Sequence, residues 1–470
     1  MQPSLEEHLR YYDQHHLLTF WNELSPDERK MLAEQIRGID FAELSRLFAG
    51  QEAATDWAAL ARRAEPPPAF RLPEHGEQSE FSPDEARMRG EAAFAAGEVG
   101  AILVAGGQGT RLGWSHPKGT YPIGPVSKAP LFQILFERLA AHGRRYGTRL
   151  PLYLMTSLAT HQETVAYLDE HQRFGVVADD LRIFCQGQMP AVEASTGRVL
   201  LESAGRIALS PDGHGGMLAA LATSGGLQDM QCRGLRHLFY FQVDNPLVPI
   251  GDPEFLGYHL LSGSEMSTLV VAKQRPKEKL GVLAAIDGQV RIIEYSDMPD
   301  DVAHERDASG GLRFWAGNTG VHFFEREFLE RVQHSAAGLP MHLARKKVSC
   351  VAVDRDTSPG TRVEPDAPNA IKFERFVFDL LPEARHAIVV ESDAARTFAP
   401  VKNGPGEPTD SPEAAQAAMI RLHTEWLRAA GAEVAPDVPV EISPLFALDA
   451  AELADKIRPG LRLTEPKYFC

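Results

Sequence analysis

An α/β fold with a doubly wound, mostly parallel sheet is what this sequence predicts, and three observations predict it. Short continuous apolar runs, beginning with residues 99–105 (VGAILVA), have the composition of strands buried on both faces. They alternate with stretches of helical periodicity at 131–141, 160–170, 216–230 and 253–261. The first run breaks directly into a glycine-dense loop, Gly106-Gly107-Gln108-Gly109. Further strands are expected at 152–155, 181–185, 238–243, 267–272, 282–286, 321–324 and 387–390.

The N-terminal region, 1–98, reads as helical scaffold. Leu5, Leu9 and Tyr12, and later Phe41, Leu44, Leu47 and Phe48, recur at helical spacing. Ser25-Pro26-Asp27-Glu28 and Ser82-Pro83-Asp84-Glu85 each combine an N-cap serine, a first-turn proline and a glutamate that can reach back to the cap. Glu65-Pro66-Pro67-Pro68 cannot be helical and is expected to form a surface linker. Residues 99–395 form the expected catalytic domain. Residues 396–470 are richer in loops, contain one good helix at 412–430, and form an expected small C-terminal domain.

Composition excludes several classes of function. The chain has 470 residues with ordinary globular proportions, 44% hydrophobic and 24% charged, which excludes a fibrous or wholly disordered chain. A net charge of −16 repels polyanions, so nucleic acid and acidic membrane surfaces are not expected partners. The four cysteines, Cys185, Cys232, Cys350 and Cys470, form no metal-ligand run, and the 17 histidines are scattered. Neither a zinc site nor a disulfide framework is therefore expected. With no secretory signal pattern and no long apolar run, a cytoplasmic protein is expected.

The glycine loop carries the chemistry. A buried strand feeding glycines exposes backbone N–H groups to which a phosphate chain can come close. Arg111 and Lys118 lie within the same stretch, and a turn that merely needs glycine torsions has no use for cations. The dinucleotide-binding pattern fails at Leu112, and the P-loop pattern fails because Pro117 precedes Lys118.

The run LVAGGQGTRLGWSHPKGTYPIG resembles the signature of the UDP-sugar pyrophosphorylases, above all the eukaryotic-type UDP-N-acetylglucosamine enzymes. The segments around Gln186-Gly187, Asp212-Gly213-His214-Gly215-Gly216, Val243-Asp244-Asn245, Glu294-Tyr295, Gly317-Asn318, Asn369-Ala370-Ile371-Lys372, Phe376-Val377-Phe378, Val401-Lys402-Asn403 and Glu441-Ile442-Ser443 follow in that family's order. The resemblance implies a Rossmann-like, GT-A-like nucleotidyltransferase. It would join UTP and a sugar 1-phosphate into a UDP-sugar and pyrophosphate, with Mg²⁺ as cofactor, as a monomer or weak homo-oligomer.

The resemblance also implies roles. Backbone groups of Leu103, Ala105, Gly106 and Gly107 would hold the nucleotide. Arg111, Lys118 and Lys402 would act on the phosphates, with Lys402 arriving as the C-terminal region closes. Asp244 follows a strand at the ligand edge of a parallel sheet and would hold Mg²⁺. Gln186, Gly213 and His214 match nucleotide contacts; Gly281, Glu294, Tyr295, Asn318, Phe376, Phe378 and Lys372 match the sugar side, with Lys372 in a segment that reaches the phosphates.

His214 departs from the N-acetylglucosamine branch, which has Asn between the two glycines, and matches the His of the UDP-glucose branch. N-acetylglucosamine is the expected sugar. The alternatives are UDP-glucose, UDP-galactose or broad UDP-sugar specificity, or a non-catalytic binder of nucleotide sugars.

Overall fold

The structure, a computed structural model, describes residues 5–50, 56–75, 80–333, 339–353 and 360–470. Its contacts define a smaller unit, Met1–Asp56, Gln186–Met217 and Gly338–Val377, and a larger one, Trp57–Cys185, Leu218–Ala337 and Phe378–Cys470. This division cuts across the expected N-terminal region, whose first helices belong to the smaller unit.

The larger unit is built on one sheet. Its strands in chain order are β1 (Ala69–Phe70), β2 (Val99–Val104), β3 (Leu152–Thr156), β4 (Leu181–Cys185), β5 (His237–Gln242), β6 (Met266–Ala272), β7 (Val282–Ile286), β8 (Gln289–Ile293), β9 (Ala316–Glu325) and β10 (Ala387–Glu391). In space they run β1-β10-β6-β9-β5-β2-β3-β4, with β7 paired to both β8 and β9. The pairs β1/β10, β10/β6, β5/β2, β2/β3 and β3/β4 are parallel, whereas β9 is antiparallel to both its neighbours β6 and β5. The predicted mostly parallel, doubly wound α/β sheet is present, with one antiparallel strand set into its middle.

Local chemistry explains the elements. Both predicted capping boxes form, at Ser25 with Glu28 and at Ser82 with Glu85. β2 and β3 are buried along nearly their whole length, which accounts for their unbroken apolar runs. The helix expected at 216–230 is two helices, Met217–Thr223 and Gly226–Cys232, because Gly225 adopts a left-handed φ of 75° between them. The Pro66–Pro68 segment is pinned rather than a free linker: Glu65 exchanges two backbone hydrogen bonds with Ala285, and the chain continues into the edge strand β1.

The C-terminal residues have their own apolar cluster, which includes Leu427, Val440, Ile442 and Leu453. Buried Glu441 ties that cluster to the rest of the larger unit. Its carboxylate accepts from the backbone N–H groups of Val126 and Ser127 at 2.8 and 2.7 Å, and from the Ser127 hydroxyl at 2.6 Å. In the smaller unit, helices Pro26–Arg37 and Phe41–Phe48 bury Leu32, Ile36, Phe41 and Leu44 with Val192, Ile207, Ile371 and Phe373.

Candidate active site

The glycine loop leaves the carboxyl end of β2 and is shaped by its own backbone. Lys118 N–H donates to Gly107 O at 3.0 Å, Gly109 N–H to His116 O at 3.0 Å and Trp114 N–H to Gly109 O at 3.1 Å. Trp114 Nε1–H donates to Thr120 Oγ1, and Ser157 Oγ–H to Gly106 O, at 2.9 and 2.7 Å. Leu103 and Ala105 are buried. By contrast, a Cβ added at Gly107 meets no atom within 4 Å, so the backbone there lies open to an approaching group. Arg111 is exposed on the loop.

β5 ends beside this loop, and Asp244 follows it. Lys118 Nζ lies 3.5 Å from Asp244 Oδ2, with both side chains about five-sixths buried, at 16% and 14% exposure. Asp244 O accepts from Val401 N–H at 2.9 Å, which brings Lys402 to the same place. Burial pushes the Asp244 carboxyl up, but the Lys118 and Lys402 ammonium groups outweigh it and hold the acid below its usual range. Asp410 shares this field: burial raises its pKa while Lys402 opposes the rise.

The segment at 402–410 is not the loose loop its Gly and Pro content suggests. Asp410 O accepts from Lys402 N–H and Asn403 N–H at 2.7 and 2.9 Å, and Thr409 O accepts from Asn403 Nδ2–H at 2.8 Å. Asn245 is a positioning residue that sequence reasoning quoted without giving it a task. Its Nδ2–H donates to Thr397 O at 2.8 Å and its Oδ1 accepts from Ala399 N–H at 3.1 Å, so it seats the chain that leads to Lys402.

The expected sugar-side residues of the larger unit separate into two sets. Gly281, Glu294 and Asn318 come together. Asn318 N–H donates to Gly281 O at 2.8 Å, and a Cβ on Gly281 would lie 3.0 Å from Glu294 Oε1. A bulge causes this. The β6/β9 register jumps from Leu269–Val321 to Val270–Asn318, leaving Thr319 and Gly320 as extra residues. Tyr295 is 48% exposed, and Phe378 is buried at the start of a short 3₁₀ helix, Val377–Glu383.

The smaller unit holds the remaining residues. Gln186 is buried. Asp212 N–H donates to Gly187 O at 3.2 Å, Arg375 N–H to Asp212 O at 2.8 Å and Gly215 N–H to Arg375 O at 2.8 Å, which clasps the Gly213-His214 turn to the 375–377 segment. His214 Nδ1 accepts from Val377 N–H at 3.1 Å, and its ring stacks on Phe376 with centroids 5.3 Å apart. Phe376 in turn lies against His342, at 4.3 Å. Lys372 sits in strand Ala370–Glu374, opposite Ala344.

The donor chemistry at Asp244 bears on Mg²⁺. Asp244 is a hard carboxylate beside the Lys118 and Lys402 ammonium groups, and Mg²⁺ is commonly held by one or two carboxylates with phosphate oxygens and water. The residues fit that demand once phosphates are bound.

The family model described as UTP–glucose-1-phosphate uridylyltransferase matches residues 74–406. The chain is 37% identical over 358 residues to the UDP-N-acetylglucosamine pyrophosphorylase of Saccharomyces cerevisiae, covering 75% of this chain and 74% of that protein. It is 36% identical over 448 residues to the human UDP-N-acetylhexosamine pyrophosphorylase-like protein 1, covering 92% and 86%. Among solved structures, a UDP-N-acetylglucosamine pyrophosphorylase from Entamoeba histolytica superposes with a TM-score of 0.75 at 30% identity, covering 82% of this chain and 96% of that one. The Trypanosoma brucei enzyme shares the fold at a TM-score of 0.80 and 24% identity, over 98% and 99% of the two chains.

Proposed function

The chain belongs to the UTP–glucose-1-phosphate uridylyltransferase family, and from that premise we infer that it is a uridylyltransferase making a UDP-sugar, with N-acetylglucosamine 1-phosphate as the preferred acceptor. The observation that carries this reading is the group of Lys118, Asp244 and Lys402 beside an open glycine loop.

In the reaction, a phosphate oxygen of the sugar 1-phosphate attacks the α-phosphorus of UTP in line. The bond to the β-phosphate oxygen breaks, and pyrophosphate leaves with that electron pair. Such displacement needs positioning and charge neutralisation more than covalent help. The open backbone at Gly107 admits the phosphate chain. Arg111 clamps the β- and γ-phosphates with its planar fork, and Lys118 adds a point charge.

Without ligand, Lys118 is neutralised by Asp244; incoming phosphate oxygens replace that carboxylate as its partner. Asp244, with phosphate oxygens, would hold Mg²⁺, which when bound supplies further charge neutralisation. Lys402 stabilises charge as it shifts between α-phosphate and leaving group. Asn318, Glu294 and Gly281 form a polar group suited to sugar hydroxyls. Nucleotide contacts by Gln186, Gly213 and His214, and sugar contacts by Tyr295, Phe376, Phe378 and Lys372, are supported by the family resemblance.

The test is pyrophosphate release from UTP with separate sugar 1-phosphates. N-acetylglucosamine 1-phosphate is expected to exceed glucose 1-phosphate in kcat/KM, because a hydrogen-bonded acetamido group is a strong recognition handle. A preference for glucose or galactose 1-phosphate overturns the choice of sugar, and His214→Asn then tests the cause. Silence with every sugar overturns the enzymatic reading.

A further inference from the structure

We propose that His237, His259 and Glu325 form a binding site for a divalent transition metal of the Zn²⁺ class. It lies in the larger unit, at the end of β5 remote from Asp244. His237 opens β5, Glu325 closes β9 as its register partner, and His259 comes from the helix Pro253–Leu261. From His237 the strand runs to Gln242, about 17 Å away at roughly 3.3 Å per residue, before the chain reaches Asp244. The site is therefore separate from the phosphate chemistry.

Three donor atoms converge. His237 Nδ1 and His259 Nε2 lie 2.6 and 2.9 Å from the same oxygen, Glu325 Oε1. The imidazoles are 3% and 0% exposed, while Glu325 is 26% exposed and leaves a path for entry. No run in the sequence announces the set, because its members stand 88 and 66 positions from Glu325.

Proton accounting argues for a metal. If both neutral imidazoles donate to Glu325, His237 carries its proton on Nδ1. Its Nε2 then keeps a buried lone pair without a hydrogen-bond partner, 4.0 Å from the Glu98 carboxylate. A metal on Nδ1 moves that proton to Nε2, where Glu98 can accept it. His259 would ligate through Nε2, with its Nδ1–H donated to Ser267 Oγ, now 2.7 Å away.

His259 thus has an outer partner that fixes its tautomer, and Glu98 would need to approach His237 Nε2 by about 1 Å to do the same. Tetrahedral bonds of about 2.0–2.2 Å set donor atoms roughly 3.3 Å apart, so the present contacts need to open by only about half an ångström. Two imidazoles with one carboxylate select Zn²⁺ or Co²⁺ over Mg²⁺.

The test uses the full chain, stripped with chelator and titrated with Co²⁺. Expected are visible d–d bands that saturate at about one ion per chain and are displaced by Zn²⁺. Zn²⁺ should also raise the melting midpoint by about 3 °C or more. His237→Gln and His259→Gln should abolish both effects while Mg²⁺-supported turnover stays unchanged. The milder Glu325→Gln should weaken Zn²⁺ at least about tenfold.

No saturable band in the wild-type chain, or one that the histidine variants retain, overturns the proposal. The cluster is then a hydrogen-bonded group that ties His237 and His259 to Glu325. If the variants do not fold, X-ray absorption of the Zn²⁺-loaded wild-type chain decides: absence of imidazole scattering overturns the site.

Discussion

Gly213→Ala is the substitution whose consequence the structure fixes most closely. Gly213 has φ 86° and ψ 167°, a region open essentially to glycine alone, and an L-residue held there costs about 1–3 kcal/mol. The added Cβ would also lie 2.3 Å from the carbonyl oxygen of Arg375. Ordinary contact begins at 3.4 Å, so the 375 backbone must retreat by about 1 Å.

That retreat strains the hydrogen bonds by which Arg375 N–H reaches Asp212 O and Gly215 N–H reaches Arg375 O, both 2.8 Å long. Each is worth about 1 kcal/mol. The sum is about 3–5 kcal/mol, with the smaller unit bearing the loss. At about 2–4 °C per kcal/mol for a cooperative unit of that order of size, its melting should fall by about 6–20 °C.

The assay pairs differential scanning calorimetry with steady-state kinetics at varied UTP, below the lowered transition. KM for UTP should rise more than KM for the sugar phosphate. An unchanged transition refutes the conformational argument. A lowered transition with an unchanged KM for UTP refutes the role of this turn in nucleotide binding.

Gly107→Ala is the complementary probe. Its Cβ meets nothing and its φ is ordinary, so melting should not move; pyrophosphate release should fall at least about tenfold if a phosphate chain lies against this backbone, and wild-type rates would show that it does not. Asp244→Asn keeps the shape but removes the charge, so turnover should fall on the order of a hundredfold while circular dichroism stays native. Near-normal turnover would place the metal ligand elsewhere. Lys402→Ala retains the backbone bond to Asp410 O, so the loop should persist while kcat drops by about tenfold or more and KM changes little. Unchanged kinetics would remove Lys402 from the reaction.

Much of this molecule is legible in its sequence because the relevant physics is local. Capping boxes, buried apolar runs and a glycine loop with nearby cations act over a few residues, and β2 with its loop, the helix starts at Pro26 and Pro83 and the cation pair Arg111 and Lys118 could be read in place. That locality does not reach the main-chain hydrogen bonds from Lys402 and Asn403 to Asp410 that close the 402–410 loop. It misled at Gly225, whose left-handed torsion divides one expected helix into two.

Tertiary structure alone decided the rest. The antiparallel insertion of β9 and the bulge that presents Asn318 depend on strand pairing, to which the apolar pattern is nearly blind. Asn245 reaches Ala399 across 154 positions to seat the chain before Lys402. His237, His259 and Glu325 acquire a common focus only when a helix and two strands pack together. Short-range periodicity and capping are written into neighbouring residues. Electrostatic pairing and ligand geometry depend on distance in space, which the chain acquires only by folding.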